Sequence, residues 1–175
     1  AAMERLLPPL AEESFCDPLQ LVVPAQGERR YRVGLVLGCV QRLFEPAVNR
    51  AAVQVLSANG IEVVIPPAQG CCGAVTHHQG EEAQTHALAG ALIDAFDAVI
   101  GPGKPAGAEP LDAVLVAASG CGHTLKAYGR LLAGDPAWAA RGSAFGGRVA
   151  DIQEFLQRVG LSEAVRQRLQ PLRLG

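Results

Sequence analysis

Tyr31-Arg32-Val33-Gly34-Leu35-Val36-Leu37-Gly38-Cys39 is an apolar, partly β-branched run that stops at a Gly-Cys pair. Near-continuous apolar character over this length is what a strand buried on both faces requires. Beyond it, Val48, Ala51, Ala52, Val55 and Leu56 recur at helical spacing between Glu45 and Asn59, and Asn59-Gly60 supplies the stop. Ile61-Glu62-Val63-Val64-Ile65 follows as a second strand, closed by Pro66-Pro67. Strand, helix, strand in this order is a crossover unit, and crossovers build parallel sheets. The expected fold is therefore α/β: a three-layer, Rossmann-like parallel sheet.

The rest of the chain continues the alternation. Glu81 and Glu82 sit where a helix amino terminus favours acid, ahead of a stripe formed by Ala83, Ala87, Leu88, Ala91, Leu92, Ala95 and Phe96. Gly101 to Gly107 reads as a solvent loop; its prolines remove amide donors, and no Gly-Lys-Ser/Thr closes it as a phosphate cradle. Ala113 to Ala118 is the third strand and runs into Ser119-Gly120-Cys121-Gly122. The remaining residues read as helical, with Leu125, Tyr128 and Leu132 on one face. A segment opening at Asp135-Pro136 contains Trp138, and Asp151 with Glu154 forms a capping-box pattern. A last short helix starts at Ser162 and stops at Pro171. Residues 1–30, punctuated by Pro and Gly, read as a linker or tail; 31–171 form one domain; 172–175 look like the start of a further unit cut from a longer protein.

Four cysteines follow this plan. Cys39 lies past the first strand, the vicinal pair in Gly70-Cys71-Cys72-Gly73 past the second, and Cys121 past the third. In an open parallel α/β sheet, ligands bind beyond the carboxyl ends of the strands, so the four thiols point to one crevice. Neighbouring cysteines pair with each other only under strain, and flanking glycines free the backbone to aim both sulfurs outward. Such a set suits iron–sulfur or zinc ligation. It also admits a thiol–disulfide enzyme in which Cys72, with a lowered pKa, attacks and Cys71 or Cys39 resolves, or a zinc-stabilised structural module. His123 is the nearest histidine to a candidate ligand and the best non-cysteine candidate; His77 and His78 read as capping or supporting groups, and His86 as a surface residue. Cys16 reads as an incidental free thiol.

Composition excludes several classes. The chain of 175 residues is 49% hydrophobic and 18% charged, which describes a folded globular domain with one sizeable core. A net charge of -2 gives no electrostatic footprint for nucleic acid or an anionic surface. No apolar run reaches the length of a membrane span, and the first residues lack a secretory leader pattern, so a cytoplasmic setting is expected. Five cysteines, an odd and sparse count, favour metal or thiol chemistry over a disulfide framework.

Three stretches carry a family resemblance: Gly38-Cys39-Val40-Gln41, Gly70-Cys71-Cys72-Gly73-Ala74-Val75-Thr76-His77-His78-Gln79-Gly80 and Ala118-Ser119-Gly120-Cys121-Gly122-His123-Thr124-Leu125-Lys126-Ala127-Tyr128-Gly129. Together they resemble the cysteine-rich CCG domain, in the form of the first repeat of glycolate oxidase (glycolate dehydrogenase) iron–sulfur subunits, within a wider family that includes the cluster-holding subunit of heterodisulfide reductase. The resemblance implies an electron-transfer domain, not itself catalytic, that serves a flavin-dependent oxidase or dehydrogenase of glycolate or another 2-hydroxy acid. It implies a 4Fe-4S type iron–sulfur cluster in the full protein, on Cys39, Cys71, Cys72 and Cys121, with zinc or an empty site as alternatives in a fragment. Implied partners are flavin-containing glycolate oxidase subunits, an amino-terminal ferredoxin-like module and a second CCG repeat; a location at the inner face of the membrane would come through that complex. A single repeat would leave an apolar face exposed, which favours a dimer. The family pattern ends in Cys-x-x-Cys, and here Thr124 stands where the fifth cysteine would be.

Overall fold

The computed structural model describes residues 19–169. Cys16, Pro171 and residues 172–175, and what was expected of them, lie outside that range. The described chain runs β1 (Val22–Val23), β2 (Tyr31–Val36), α1 (Gln41–Phe44), α2 (Pro46–Ala58), β3 (Ile61–Val64), α3 (Ala74–His78) and α4 (Glu82–Asp97). It continues with β4 (Ala113–Val116), α5 (Ser119–Lys126), α6 (Tyr128–Leu131), α7 (Ala139–Gly146), β5 (Val149–Asp151), α8 (Ile152–Val159) and α9 (Glu163–Arg168).

The strands form one sheet in the order β1-β3-β2-β4-β5. The pairs β2–β3, β2–β4 and β4–β5 are parallel, and β1 adds an antiparallel edge to β3, so the sheet is mixed. From β2 the chain goes first to β3 on one side and then to β4 on the other. That reversal places a topological switch point at β2, where the loops leaving the strands diverge and open a crevice.

Strand alternation sorts the apolar residues onto two faces. Val33, Leu35, Val63, Ala113 and Leu115 pack with Leu56 of α2 and Phe155 of α8. Val36, Val64, Val114 and Val116 pack on the other face with Leu92 and Phe96 of α4, Leu125, Tyr128 and Phe145. Helices on both faces make the three layers and explain why the strands read as continuous apolar runs. Gly34 is required by this packing: a Cβ there would stand 2.5 Å from Phe96 Cε1 and 2.8 Å from Leu111 Cδ1. Arg32 is buried at the opposite end of β2, where its Nε donates to Glu62 Oε1 at 2.6 Å and its terminal nitrogens to the Glu109 and Ala106 carbonyls. Thus Arg32 pins the far end of the Gly101–Gly107 loop.

Several details differ from the sequence reading. Val22–Val23, within the stretch read as linker, pairs with Val63 and Val64. Val149–Asp151, within a stretch read as helical, is the parallel edge strand β5. Both are too short to show a period. On α2 the buried face is Asn49, Ala52, Val53, Leu56 and Ser57, while Val48 and Val55 are exposed, because hydrogen bonds satisfy the buried Asn49 and Ser57. On α4, Ala83, Ala87 and Ala91 are exposed and Ala89, Gly90 and Ile93 are buried. Trp138 lies against Gly90, where a Cβ would come 2.8 Å from the indole. The expected capping box is present: Gln153 N donates to Asp151 Oδ1 at 2.7 Å, and Asp151 N to Glu154 Oε2 at 3.1 Å.

Candidate functional site

The loops after β2, β3 and β4 meet at the carboxyl edge of the sheet and line a cavity of about 300 Å³. Cys39, Cys71, Cys72 and Cys121 all line it, with Phe44, Val48, Val75 and other mostly apolar groups. All four are free thiols. Around the mouth, Val40 and Val75 are each 59% exposed, so the rim is apolar as well as the wall.

Two of the thiols are in contact with each other. Cys39 Sγ and Cys71 Sγ lie 3.3 Å apart, both half-buried on loops that begin at Gly38 (φ 74°) and Gly70. Cys72 is 3% exposed, packs into the core below α4 and α5, and lines the cavity together with Cys121. Cys121 lies in the first turn of α5.

The Cys39 loop and the Cys71–Cys72 loop are fastened by polar side chains to backbone groups that the strands leave unpaired. Gln69, buried just before the vicinal pair, accepts from Leu37 N at 2.9 Å and donates to the Leu35 and Pro66 carbonyls at 3.1 Å. Asn49 Nδ2 donates to Leu37 O at 3.0 Å, and Gln41 Nε2 donates to Asn49 Oδ1 at 2.6 Å. These bonds tie the root of the Cys39 loop to that of the Cys71 loop. Tyr128, fully buried, donates from its hydroxyl to the Cys72 carbonyl at 2.8 Å while its ring stacks on Phe145. Gly73 takes the left-handed conformation (φ 79°) and lets α3 start immediately after the pair.

The electrostatics follow from the neighbouring thiols and from burial. The hydrogen bond to Cys121 pushes the Cys72 thiol up, and burial adds to it; the same bond draws Cys121 down. Burial, then the Cys71 thiol, raises Cys39. Burial, then the nearby cysteine charges, holds the Tyr128 phenol protonated. Cys72, expected to have a lowered pKa, is therefore raised, and of the two it is Cys121 that is drawn down.

The histidines lie elsewhere. His123 follows Cys121 by two positions, about 200° around the helix, and lines a separate recess with Lys126, Asp151 and Glu154. Lys126 pairs there with Glu154 at 2.6 Å. His77 Nδ1 is 3.5 Å from Glu82 Oε1. His86, expected at the surface, is half-buried and its Nε2 lies 2.6 Å from Leu131 O. Thr124 is fully buried one turn after Cys121, and its Oγ1 has no hydrogen-bond partner among the described residues. Among those residues, no three His, Cys, Asp or Glu side chains gather tightly enough to grip a single metal ion.

Sequence reasoning named the four cysteines that line this cavity and missed Gln69 and Asn49. A polar residue abutting Gly-Cys-Cys-Gly, and another interrupting the apolar face of α2, were the available signals.

A family model described as "CCG: Cysteine-rich domain" matches residues 33–126, from β2 to the end of α5 and including all four cavity cysteines. Among curated proteins, the chain is 33% identical over 154 residues to the "Probable glycolate oxidase iron-sulfur subunit" of Bacillus subtilis (strain 168), covering 88% of this chain and 32% of that protein. It is 36% identical over 132 residues to the "Glycolate oxidase iron-sulfur subunit" of Escherichia coli (strain K12), covering 75% and 31%. It is 28% identical over 125 residues to "Lactate utilization protein A" of Bacillus pumilus (strain SAFR-032), covering 71% and 48%. The chain thus spans about a third of the glycolate oxidase subunits and about half of the lactate utilization protein. No solved structure matches it. With a family model spanning more than half its length and holding every cavity cysteine, this chain belongs to the CCG cysteine-rich domain family.

Proposed function

We propose that this domain is an electron-transfer module of an oxidoreductase acting on a small 2-hydroxy acid, glycolate or lactate, and that it holds an iron–sulfur cluster of the 4Fe-4S type. The observation that carries the reading is the convergence of Cys39, Cys71, Cys72 and Cys121 from three strand-end loops on one apolar cavity. The donor chemistry fits such a group: thiolate sulfur is the usual ligand of iron–sulfur clusters. A cluster would take these ligands from the separate loops that line the cavity.

When bound, the cluster would accept and release single electrons. The protein's own part is to hold four thiols on fixed loop roots and keep water away with Phe44, Val48 and Val75. Low polarity around a cluster and the hydrogen bonds to its sulfurs set its potential. Cys72 enters as a buried ligand, since burial and its bond to Cys121 make it a poor attacking thiol. Electrons would come from flavin-containing subunits approaching the apolar rim at Val40 and Val75, the shortest path to the cavity. The other segments of the parent protein, a ferredoxin-like module and a second CCG repeat, would carry them onward towards an acceptor at the membrane. Among the described residues no helix is long and apolar enough to cross a bilayer; membrane association would come through the complex.

Anaerobic reconstitution with iron and sulfide tests this. Stoichiometric iron and acid-labile sulfide with an EPR signal on reduction are expected, with loss of both in Cys72→Ala. Zinc uptake alone would overturn the electron-transfer reading.

A further inference from the structure

We infer that Cys39 and Cys71 are a reversible modification site: in the metal-free domain they react with a small disulfide of the glutathione class and close into a disulfide, while Cys72 and Cys121 remain thiols. The two sulfurs stand 3.3 Å apart and need to approach to about 2.05 Å. Their loops can supply that movement. Both cysteines lie outside helix and strand, each directly after a glycine, and a Cβ on Gly70 would meet nothing within 4 Å. The loop roots cannot drift apart meanwhile, because Gln69 bonds to both Leu37 and Leu35. Both thiols line the open cavity, so a small solute reaches them.

The other pairings are held off by structure. Cys71 and Cys72 are chain neighbours, for which a disulfide is strained. Cys72 is 3% exposed and Cys121 lies in the first turn of α5, so a small disulfide meets Cys39 and Cys71 on their loops before it reaches Cys72. The step balances in two displacements. One thiolate attacks the small disulfide and expels one glutathione thiol, leaving a mixed disulfide. The second thiolate attacks the protein sulfur of that bond and expels the other. Two protein thiols lose two electrons and two protons; one glutathione disulfide becomes two glutathione thiols. The bond occupies two of the four candidate ligands, so, resting on the cluster reading above, the oxidised domain would not load iron until reduced.

The test uses the 175-residue chain with Cys16→Ser, purified reduced and metal-free, exposed to oxidised glutathione, then alkylated, digested and mapped by mass spectrometry. A peptide joining Cys39 to Cys71, with Cys72 and Cys121 alkylated, is expected. In Cys39→Ser, Cys71 should instead accumulate as the mixed disulfide with glutathione. Circular dichroism of each variant checks that it is folded. Four alkylated cysteines, or a bond between Cys72 and Cys121, would overturn the inference. Reconstitution separates the two readings. Iron uptake by the oxidised protein equal to that of the reduced protein overturns the masking. A crosslink that forms as expected in a domain that never takes up iron leaves the disulfide standing and removes the cluster.

Discussion

Replacing Tyr128 by Phe isolates one hydrogen bond that holds the vicinal cysteine loop. The hydroxyl donates to Cys72 O at 2.8 Å from a fully buried position, while the ring keeps its stacking at 5.9 Å on Phe145. Phe preserves the ring and removes the donor, leaving a buried carbonyl without its tyrosine partner. Such a loss costs about 1–3 kcal/mol. In a domain of this size each kcal/mol lowers the melting temperature by about 2–4 °C, so a central value of about 2 kcal/mol predicts a fall of about 4–8 °C. The same loss should show locally. Cys72 is 3% exposed, so a thiol reagent reaches it only through opening. If the anchor is broken in the native state and already absent in the open one, the open population rises by about 30-fold for about 2 kcal/mol. Thermal unfolding of the reduced, metal-free protein and the native-state labelling rate of Cys72 are the two assays. An unchanged melting temperature together with an unchanged Cys72 rate would refute the anchoring role.

Two further substitutions probe the surroundings. Thr124→Val removes a buried hydroxyl that has no partner among the described residues, and should stabilise the metal-free domain by about 1 kcal/mol, read as a raised melting temperature; a lower one would mean that the hydroxyl is bonded. Glu154→Gln retains an acceptor for the Asp151 amide but ends the ion pair with Lys126, which is the main cause holding the Glu154 carboxyl below its ordinary value of 4.5. A depressed carboxylate stabilises the fold above its unfolded pKa and loses that contribution as pH falls through the folded one. The wild type should therefore exceed the variant at neutral pH and low salt, and the difference should start to shrink as pH drops below about 4.5 and be gone once pH is below the lowered folded value; a gap that persists in strong acid would refute the pairing.

The core of the fold was legible because its signals are long. The runs at Tyr31–Val36 and Ala113–Val116 are apolar on both faces, as a strand between two helical layers must be, and each ends at a loop that carries a cysteine. Strand-end position then brought four cysteines to one cavity without any knowledge of contacts. What stayed hidden has a common cause. Val22–Val23 and Val149–Asp151 are strands only because a neighbour's edge is open to pair with them, which no local pattern records. The face of α2 is displaced from the apolar stripe because Asn49 is buried by its bond to Leu37 O, a long-range fact. The contact of Cys39 with Cys71 and the burial of Cys72 likewise depend on how deeply each loop sinks.

Those hidden residues share a physical role. A loop leaving a buried strand carries amides and carbonyls that no longer have a ladder partner, and burying them unpaired costs about 1–3 kcal/mol each. Gln69, Asn49 and Tyr128 each answer one such group: Leu37 N, Leu37 O and Cys72 O. None touches a sulfur in these bonds, yet together they fix where the loop roots stand and leave open space at Gly70, directly before the vicinal pair. The thiols are therefore positioned through the backbone, with Cys39 and Cys71 half-buried on their loops and Cys72 set into the core. An asymmetry of that kind lets Cys72 and Cys121 define the depth of the site while Cys39 and Cys71 close over whatever enters it. A change at Gln69 should consequently disturb Cys39 and Cys71 together while sparing Cys72, although it lies next to the loop that carries both members of the vicinal pair.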